Sequence, residues 1–311
     1  MNTTYFYSLN DYLRETYGKK MYKISLNAGM SCPNRDGKLS TEGCIFCSEG
    51  GSGDFAESSL LSITEQIELG KQKVKHKIKN NDFIAYFQAY TNTYAPVEYL
   101  EKIFTEAIHH PDIQILSIAT RPDCLSKEIL CLLAELNKKK PVWVELGLQT
   151  IHESTAHYIN RGYELSCFEK AVSDLTQAGI SVIVHMILGL PGETKDNMIA
   201  TAKYLSTLPI QGIKLQLLHV LKNTKLSVDY LQNKFEVLDL KQYMDIVISI
   251  IEILPPAMVI HRITGDGPKN ILIAPLWSGN KRMVLNSIYR EFRLRNTWQG
   301  KYYEMSIDTD S

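Results

Sequence analysis

MYKISLNAGMSCPNRDGKLSTEGCIFCSEGGSG, residues 21–53, decides the fold. Met21 to Leu26 is a short run of apolar and β-branched residues, which predicts a strand. Cys32, Cys44 and Cys47 follow it directly, with eleven residues between the first two and two between the last pair. Gly50, Gly51 and Gly53 close the stretch. In parallel α/β folds, ligands sit beyond the carboxyl ends of the strands, so these thiols are expected on a loop at the functional face.

The remaining chain repeats the strand-then-helix order. Strands are predicted at Phe83–Phe87, Ile113–Ala119, Val142–Leu148, Ile180–Leu188, Ile213–Val220 and Met258–Ile263. Helical spacing of apolar residues falls between them, at Leu61–Lys79, Val97–His109, Lys127–Asn137, Cys167–Ala178, Lys195–Leu208 and Leu240–Leu254. A period of roughly 30 residues is that of βαβ units on a parallel sheet. The expected fold class is α/β, a partial (β/α)6 TIM-like barrel. Residues 1–20 read as an N-terminal extension, 21–254 as the barrel core and 255–311 as a C-terminal extension packed on it.

Composition narrows the function classes. Of 311 residues, 44% are hydrophobic, enough for a sizeable core, and 34 Lys and Arg balance 34 Asp and Glu. That balance argues against strong non-specific nucleic-acid binding but leaves room for a local basic patch. The longest apolar run, Met244–Met258, is broken by Asp245, Glu252 and Pro255-Pro256, so no membrane span is expected. Met1–Asn10 lacks a basic stretch followed by an apolar core, so no secretory signal is expected and a cytoplasmic location is.

Six cysteines in a reducing compartment read as thiols or metal ligands. Three thiolates without a fourth protein ligand suit an iron–sulfur cluster with one iron open to a non-protein ligand. A structural zinc needs a fourth ligand, and no histidine lies between Met1 and Lys75. A distant fourth ligand or unrelated thiols stay open on the residues alone. Phe46 is a core aromatic or a ring beside a bound cofactor. The glycines permit close backbone approach or simply a loose loop. Cys124, Cys131 and Cys167 read as structural.

Cys44-Ile45-Phe46-Cys47, after the first strand, resembles the end of the radical SAM motif. The long first spacing resembles the branch related to the Elongator catalytic subunit. Cys32-Pro33-Asn34-Arg35-Asp36-Gly37, Ile260-His261-Arg262-Ile263-Thr264-Gly265-Asp266-Gly267-Pro268 and Thr297-Trp298-Gln299-Gly300 resemble the bacterial YhcC/YtqA-type radical SAM proteins. The resemblance implies that Cys32, Cys44 and Cys47 hold a [4Fe–4S] cluster whose open iron takes S-adenosylmethionine (SAM). A strongly reducing cluster then yields a 5′-deoxyadenosyl radical, fed by a flavodoxin- or ferredoxin-type donor.

Further SAM contacts are implied residue by residue. Gly147-Leu148-Gln149-Thr150 resembles a fourth-strand motif of the coproporphyrinogen-dehydrogenase branch, in which the glutamine touches the ribose. Arg161, twelve residues on, matches an arginine that grips the SAM carboxylate; the alternative is a helix-surface arginine. His185 to Glu193 resembles the fifth-strand motif that lies against adenine, which assigns His185, Gly189 and Leu190 to SAM; His185 also reads as an ordinary structural histidine. The usual Gly-Gly-Glu after the second strand is replaced by Gln88-Ala89-Tyr90-Thr91-Asn92-Thr93-Tyr94, where Gln88 or Thr91 is the substitute contact.

For substrate, the resemblance implies tRNA. The implied reaction turns the 5-carboxymethylaminomethyl group of a wobble uridine, with or without 2-thiolation, into 5-aminomethyl, for a partner methyltransferase to methylate. Lys281, Arg282, Tyr289, Arg290, Arg293, Arg295, Trp298, Lys301 and Tyr302 interleave basic and aromatic residues, a mixture suited to single-stranded RNA or to a solvated helix face. Tyr90, Tyr94, His219, Arg262 and Asp266 fall near predicted strand ends and are candidates for the substrate cavity. The competing classes are a radical SAM enzyme acting on a small metabolite or porphyrin-like molecule, and a zinc-binding interaction protein.

Overall fold

Seven strands run parallel in one curled sheet, in unbroken chain order apart from a two-residue excursion near the end. The computed structural model describes residues 4–304 apart from residues 52, 54, 55, 78, 79 and 266. Helix α1 (Leu9–Tyr17) precedes β1 (Tyr22–Leu26). Then follow α2 (Ile63–Val74), β2 (Phe83–Phe87), α3 (Val97–His109), β3 (Ile113–Thr120), α4 (Lys127–Asn137) and β4 (Val142–Gln149). The next elements are α5 (Glu153–Tyr158), α6 (Leu165–Gln177), β5 (Ser181–Leu188), α7 (Lys195–Ser206) and β6 (Gly212–Leu217). The chain ends with β7 (Val220–Leu221), α8 (Lys225–Leu231), α9 (Leu240–Ile253), β8 (Val259–Arg262), β9 (Leu272–Ala274) and α10 (Lys281–Leu294).

The sheet order is β1-β2-β3-β4-β5-β6-β8, so the half-barrel carries one strand more than the six repeats expected. The seventh lies beyond residue 254 and pairs in parallel with β6. The expected strand Ile213–Val220 is divided: it leaves the main sheet after Leu217, and Val220–Leu221 pairs antiparallel with β9. That small second sheet stands over one end of the barrel.

Local chemistry starts the helices where the spacing places them. Capping boxes at Ser8/Asp11, Ser62/Glu65, Thr194/Asn197 and Asp239/Gln242 satisfy the first backbone donors of α1, α2, α7 and α9. One core runs between the sheet and its outer helices, with Phe87, Phe104, Leu133, Phe168, Leu205 and Ile250 fully buried.

β1 and β8 do not pair, so the barrel is open along one side. The chain's two ends meet beside that edge. The Ile260 N–H donates to Tyr7 O (2.8 Å), and Gln299 ties three segments together. Its Oε1 accepts from Tyr7 N (2.8 Å), while its Nε2 donates to Pro255 O (2.7 Å) and Met258 O (2.8 Å). The Thr297-Trp298-Gln299-Gly300 segment is therefore a clasp between the N-terminus and the lead-in to β8.

Candidate active site

The loop after β1 is long because it must fold back on itself to bring Cys44 beside Cys32. Gly43 makes the return at φ +74°, and its N–H donates to Asn34 O (2.7 Å). Asn34 is 1% exposed, and its Nδ2 donates to Asn160 O (2.6 Å) and lies 3.6 Å from Cys44 Sγ. Asn160 answers with Nδ2 to Gly43 O (2.7 Å), which pins the loop to the turn after α5. Arg35 cages the far end, donating to Cys47 O (3.1 Å) and Ser48 O (2.7 Å). At the near end, buried Gln66 on α2 exchanges two hydrogen bonds with the Asn27 backbone, each 2.8 Å.

Cys32, Cys44 and Cys47 line one cavity at the carboxyl end of the strands. With no metal, the hydrogen bond that the Cys44 thiol makes to Cys47, together with burial, pushes the Cys44 thiol well above its usual range. A metal takes the place of that proton. A tetrahedral zinc with bonds of about 2.3 Å needs sulfurs about 3.8 Å apart. Among the described residues, the His, Cys, Asp and Glu trio whose ligand atoms lie within 4.8 Å of one another is Glu68, His110 and Asp112, not the three thiols. That trio sits by the amino end of β3 and is an ion-pair cluster, bridged by Lys71 to Glu68 (2.7 Å) and to Asp112 (2.5 Å). Three soft thiolates suit an iron–sulfur cluster that leaves one iron to a non-protein ligand.

A polar atom in the same cavity fits the nucleoside of SAM. Gln149 ends β4 in the left-handed region, at φ +68°, and its buried Oε1 has no hydrogen-bond partner. A buried acceptor left unpaired is costly, and a ribose hydroxyl would satisfy it. Gly147, two residues earlier, has no room for a side chain: a Cβ there would lie 2.8 Å from Gln149 Nε2.

Other residues expected at the site take varied positions. Phe46, Gln88 and Arg262 line both this cavity and a second, larger one. Gln88 Oε1 accepts from Ser25 Oγ (2.9 Å). His219 lines only the larger cavity, where its Nε2 meets Ser278 Oγ at 3.0 Å. Tyr90 lines the cysteine cavity as a brace: its ring packs on Gly51 and its hydroxyl donates to Glu49 O. Tyr94 lines neither of the two cavities and lies under the Lys38 ammonium, 5.2 Å from its ring centre. Gly189 and Leu190 also lie outside both linings; Leu190 is buried with Ile45, Ile187 and Leu218 in a small apolar cluster beneath the cysteine loop. Asp266 lies outside the described residues.

Arg161 is 1% exposed, not on a helix surface. Its guanidinium donates to Leu148 O, Thr150 O and Tyr163 O and pairs with Glu153 (3.2 Å). All three of its nitrogens already donate to protein groups, and Glu153 occupies the place a second carboxylate would take. Tyr163 is sandwiched between Arg161 and Arg121, at 4.9 and 4.8 Å from its ring centre. Cys124 is held as a thiol, pushed by burial up to about 12, and Cys131 is exposed on α4.

The group that sequence reasoning missed lies on the barrel floor. Glu145 of β4 is 0% exposed and accepts from four donors. These are the ammonium groups of Lys23 (β1) and Lys214 (β6), Ser117 Oγ of β3 at 2.7 Å and His185 Nε2 of β5 at 2.7 Å. Tyr86 of β2 completes the layer, its hydroxyl 3.1 Å from Lys214 Nζ. Burial opposes the charge on Glu145, but Lys214, Lys23 and His185 outweigh it and hold the carboxyl well below its usual range. His185 goes the other way: burial and the Lys214 charge pull it to about 4, so it is a neutral imidazole bound to a carboxylate.

The larger cavity, about 1250 Å³, opens beyond this floor toward Ser278, Gly279 and the start of α10. It meets the cysteine cavity at Phe46, Tyr86, Gln88, Lys214, Gln216 and Arg262. Six of its described lining residues are cationic: Lys23, Lys214, Arg262, Lys269, Lys281 and Arg282. None of its described lining residues is Asp or Glu. In a chain of zero formal net charge, this concentrates positive charge in one place.

Comparison with known proteins agrees with this geometry. The radical SAM superfamily matches residues 37–205, and the Radical_SAM C-terminal domain matches residues 210–293. The chain is 46% identical to YtqA of Bacillus subtilis (strain 168) over 299 residues, covering 96% of this chain and 93% of YtqA. It is 36% identical to YhcC of Escherichia coli (strain K12) over 270 residues, 86% of each chain. Among solved structures, the Elp3 of the archaeon Methanocaldococcus infernus superposes with a TM-score of 0.68 at 15% identity. That superposition covers 90% of this chain and 64% of the Elp3 chain, and it shows a shared fold.

Proposed function

Because the chain belongs to the radical SAM superfamily, enzymes that work with a [4Fe–4S] cluster and SAM, we propose that its substrate is a tRNA wobble uridine. The reaction on this reading converts 5-carboxymethylaminomethyluridine, or its 2-thio form, to the 5-aminomethyl nucleoside. The observation that carries it is the cationic cavity of about 1250 Å³ adjoining the three thiols. Its volume accepts a flipped-out nucleotide, and Lys269, Lys281 and Arg282 at its rim are exposed where phosphates would lie.

Cys32, Cys44 and Cys47 hold the cluster on this reading. When bound, cluster and SAM together supply a 5′-deoxyadenosyl radical. The protein's part is placement. Gln149 accepts from the ribose, and Phe46 and Gln88 form the wall between cofactor and substrate. Removal of a hydrogen atom from the carboxymethyl methylene is the opening step. The carbon radical then returns one electron to the electron carrier to leave an imine, and its hydrolysis by water releases the amine and the two-carbon fragment as glyoxylate. A flavodoxin- or ferredoxin-type donor supplies the electron, and a methyltransferase consumes the amine product. Among the described residues no helix is long and apolar enough to cross a membrane.

The test is anaerobic reconstitution with iron, sulfide, SAM and tRNA, followed by nucleoside mass analysis. With deuterium at the carboxymethyl methylene, the reading expects deuterated 5′-deoxyadenosine and aminomethyluridine. No deuterium transfer, with the nucleoside unchanged, would sink it.

A further inference from the structure

The barrel floor has more cation than its own carboxylate needs. Lys23 and Lys214 converge on a single acid, Glu145, and both line the large cavity. Lys23 makes one hydrogen bond, to Glu145, with its ammonium 4.6 Å from the Tyr86 ring centre. Lys214 bonds Glu145 and the Tyr86 hydroxyl. An ammonium has three N–H donors, so both retain capacity toward a ligand. Two cations sharing one carboxylate, Lys214 buried and Lys23 half-buried, are poorly neutralised away from bulk water, and an anionic ligand would correct this. Burial pulls the Lys214 ammonium well below its usual range, and Glu145 offsets this only in part.

We propose that Lys23 and Lys214 form a carboxylate-binding site on the cavity floor, the element that distinguishes a carboxymethyl substituent from an uncharged or aminomethyl one. The inference rests on the wobble-uridine reading and names how its substrate is recognised. Phosphate is the other anion in reach, but Lys269, Lys281 and Arg282 at the exposed rim are placed for it, whereas side-chain exposure at the floor is 19% for Lys23 and 5% for Lys214. A small terminal anion on a base substituent reaches where a polymer backbone does not. Glu145 acts here as a positioning residue that holds both lysines.

The experiment compares anticodon stem–loop RNAs carrying 5-carboxymethylaminomethyluridine or its methyl ester, bound to the reconstituted holoenzyme with SAM. The wild type is expected to bind the free carboxylate about tenfold tighter or more, the effect of a charge-assisted hydrogen bond in a buried site. In Lys23→Met and Lys214→Met that ratio falls toward one. Misfolding lowers both affinities together, so the ratio reads the site even in a partly folded variant. A wild-type ratio near one, or a ratio unmoved by both substitutions, overturns the site. The free nucleosides, compared by ligand-observed NMR, give the same ratio if no RNA is bound. Failure of the wobble-uridine reading looks different: carboxylate preference persists, but no aminomethyl product forms.

Discussion

Replacing His185 by Gln tests the electrostatics of the floor. In the folded protein its pKa is about 4, lowered by burial and by Lys214 against the pull of Glu145, whereas an unperturbed histidine titrates near 6.5. The unfolded chain therefore takes up a proton that the folded protein refuses. The sign follows from linkage: this contribution to stability is fully present above about pH 6.5 and is lost as pH falls toward 4. Its full size is about 3 kcal/mol, of which roughly 2 kcal/mol is gone near pH 5. Gln keeps an N–H for the Glu145 carboxylate but does not titrate. Urea unfolding of both proteins, in steps from about pH 8 to about pH 5, should show wild type losing roughly 2 kcal/mol more than His185→Gln. Acid-sensitive groups elsewhere are common to both curves and cancel. Parallel curves over that range would mean that His185 is not buried as a neutral imidazole, and the account of the floor would be wrong.

Glu145→Gln leaves Lys23 and Lys214 beside a neutral amide, and breaking a buried pair costs about 3–5 kcal/mol, seen as a melting temperature lower by roughly 5–8 °C. Cys44→Ser should abolish the brown colour and most iron binding after anaerobic reconstitution, whereas Cys131→Ser, on exposed α4, should leave both intact; metal analysis decides, and colourless wild-type protein with one zinc would refute the cluster. Asn34→Ala removes the side chain that ties the cysteine loop to Asn160, so a loss of about 1–3 kcal/mol should accompany faster loss of iron in air, followed by absorbance. Gln299→Ala unlatches the chain's two ends; hydrogen exchange should rise first at Tyr7 and Ile260, ahead of the central strands.

Much of the architecture was legible from the chain. Apolar runs of strand length alternating with helical spacing suffice for a parallel sheet, and Val97–His109 and Lys127–Asn137 fall where the periodicity puts them. The cysteine spacing pointed to a metal-holding loop because thiolates close together on one loop leave few uses for soft ligands, and the resemblance to a known family then named the cluster. The seventh strand was visible as a run but not as a member of the sheet. Membership depends on pairing with β6 across α9, and no local pattern records that.

By itself, then, the sequence determined the repeat, the functional face and the three thiols. All of these are local: each is written in residues close together along the chain. The floor was decided only by tertiary structure. Glu145 stands in a strand, Val142–Gln149, that reads as apolar with one stray acid; its partners Lys23 and Lys214 are 122 and 69 residues away. Curling seven strands around a common axis is what turns isolated charges into one buried group. The same curl gathers six cations in a cavity of a chain whose charges otherwise cancel.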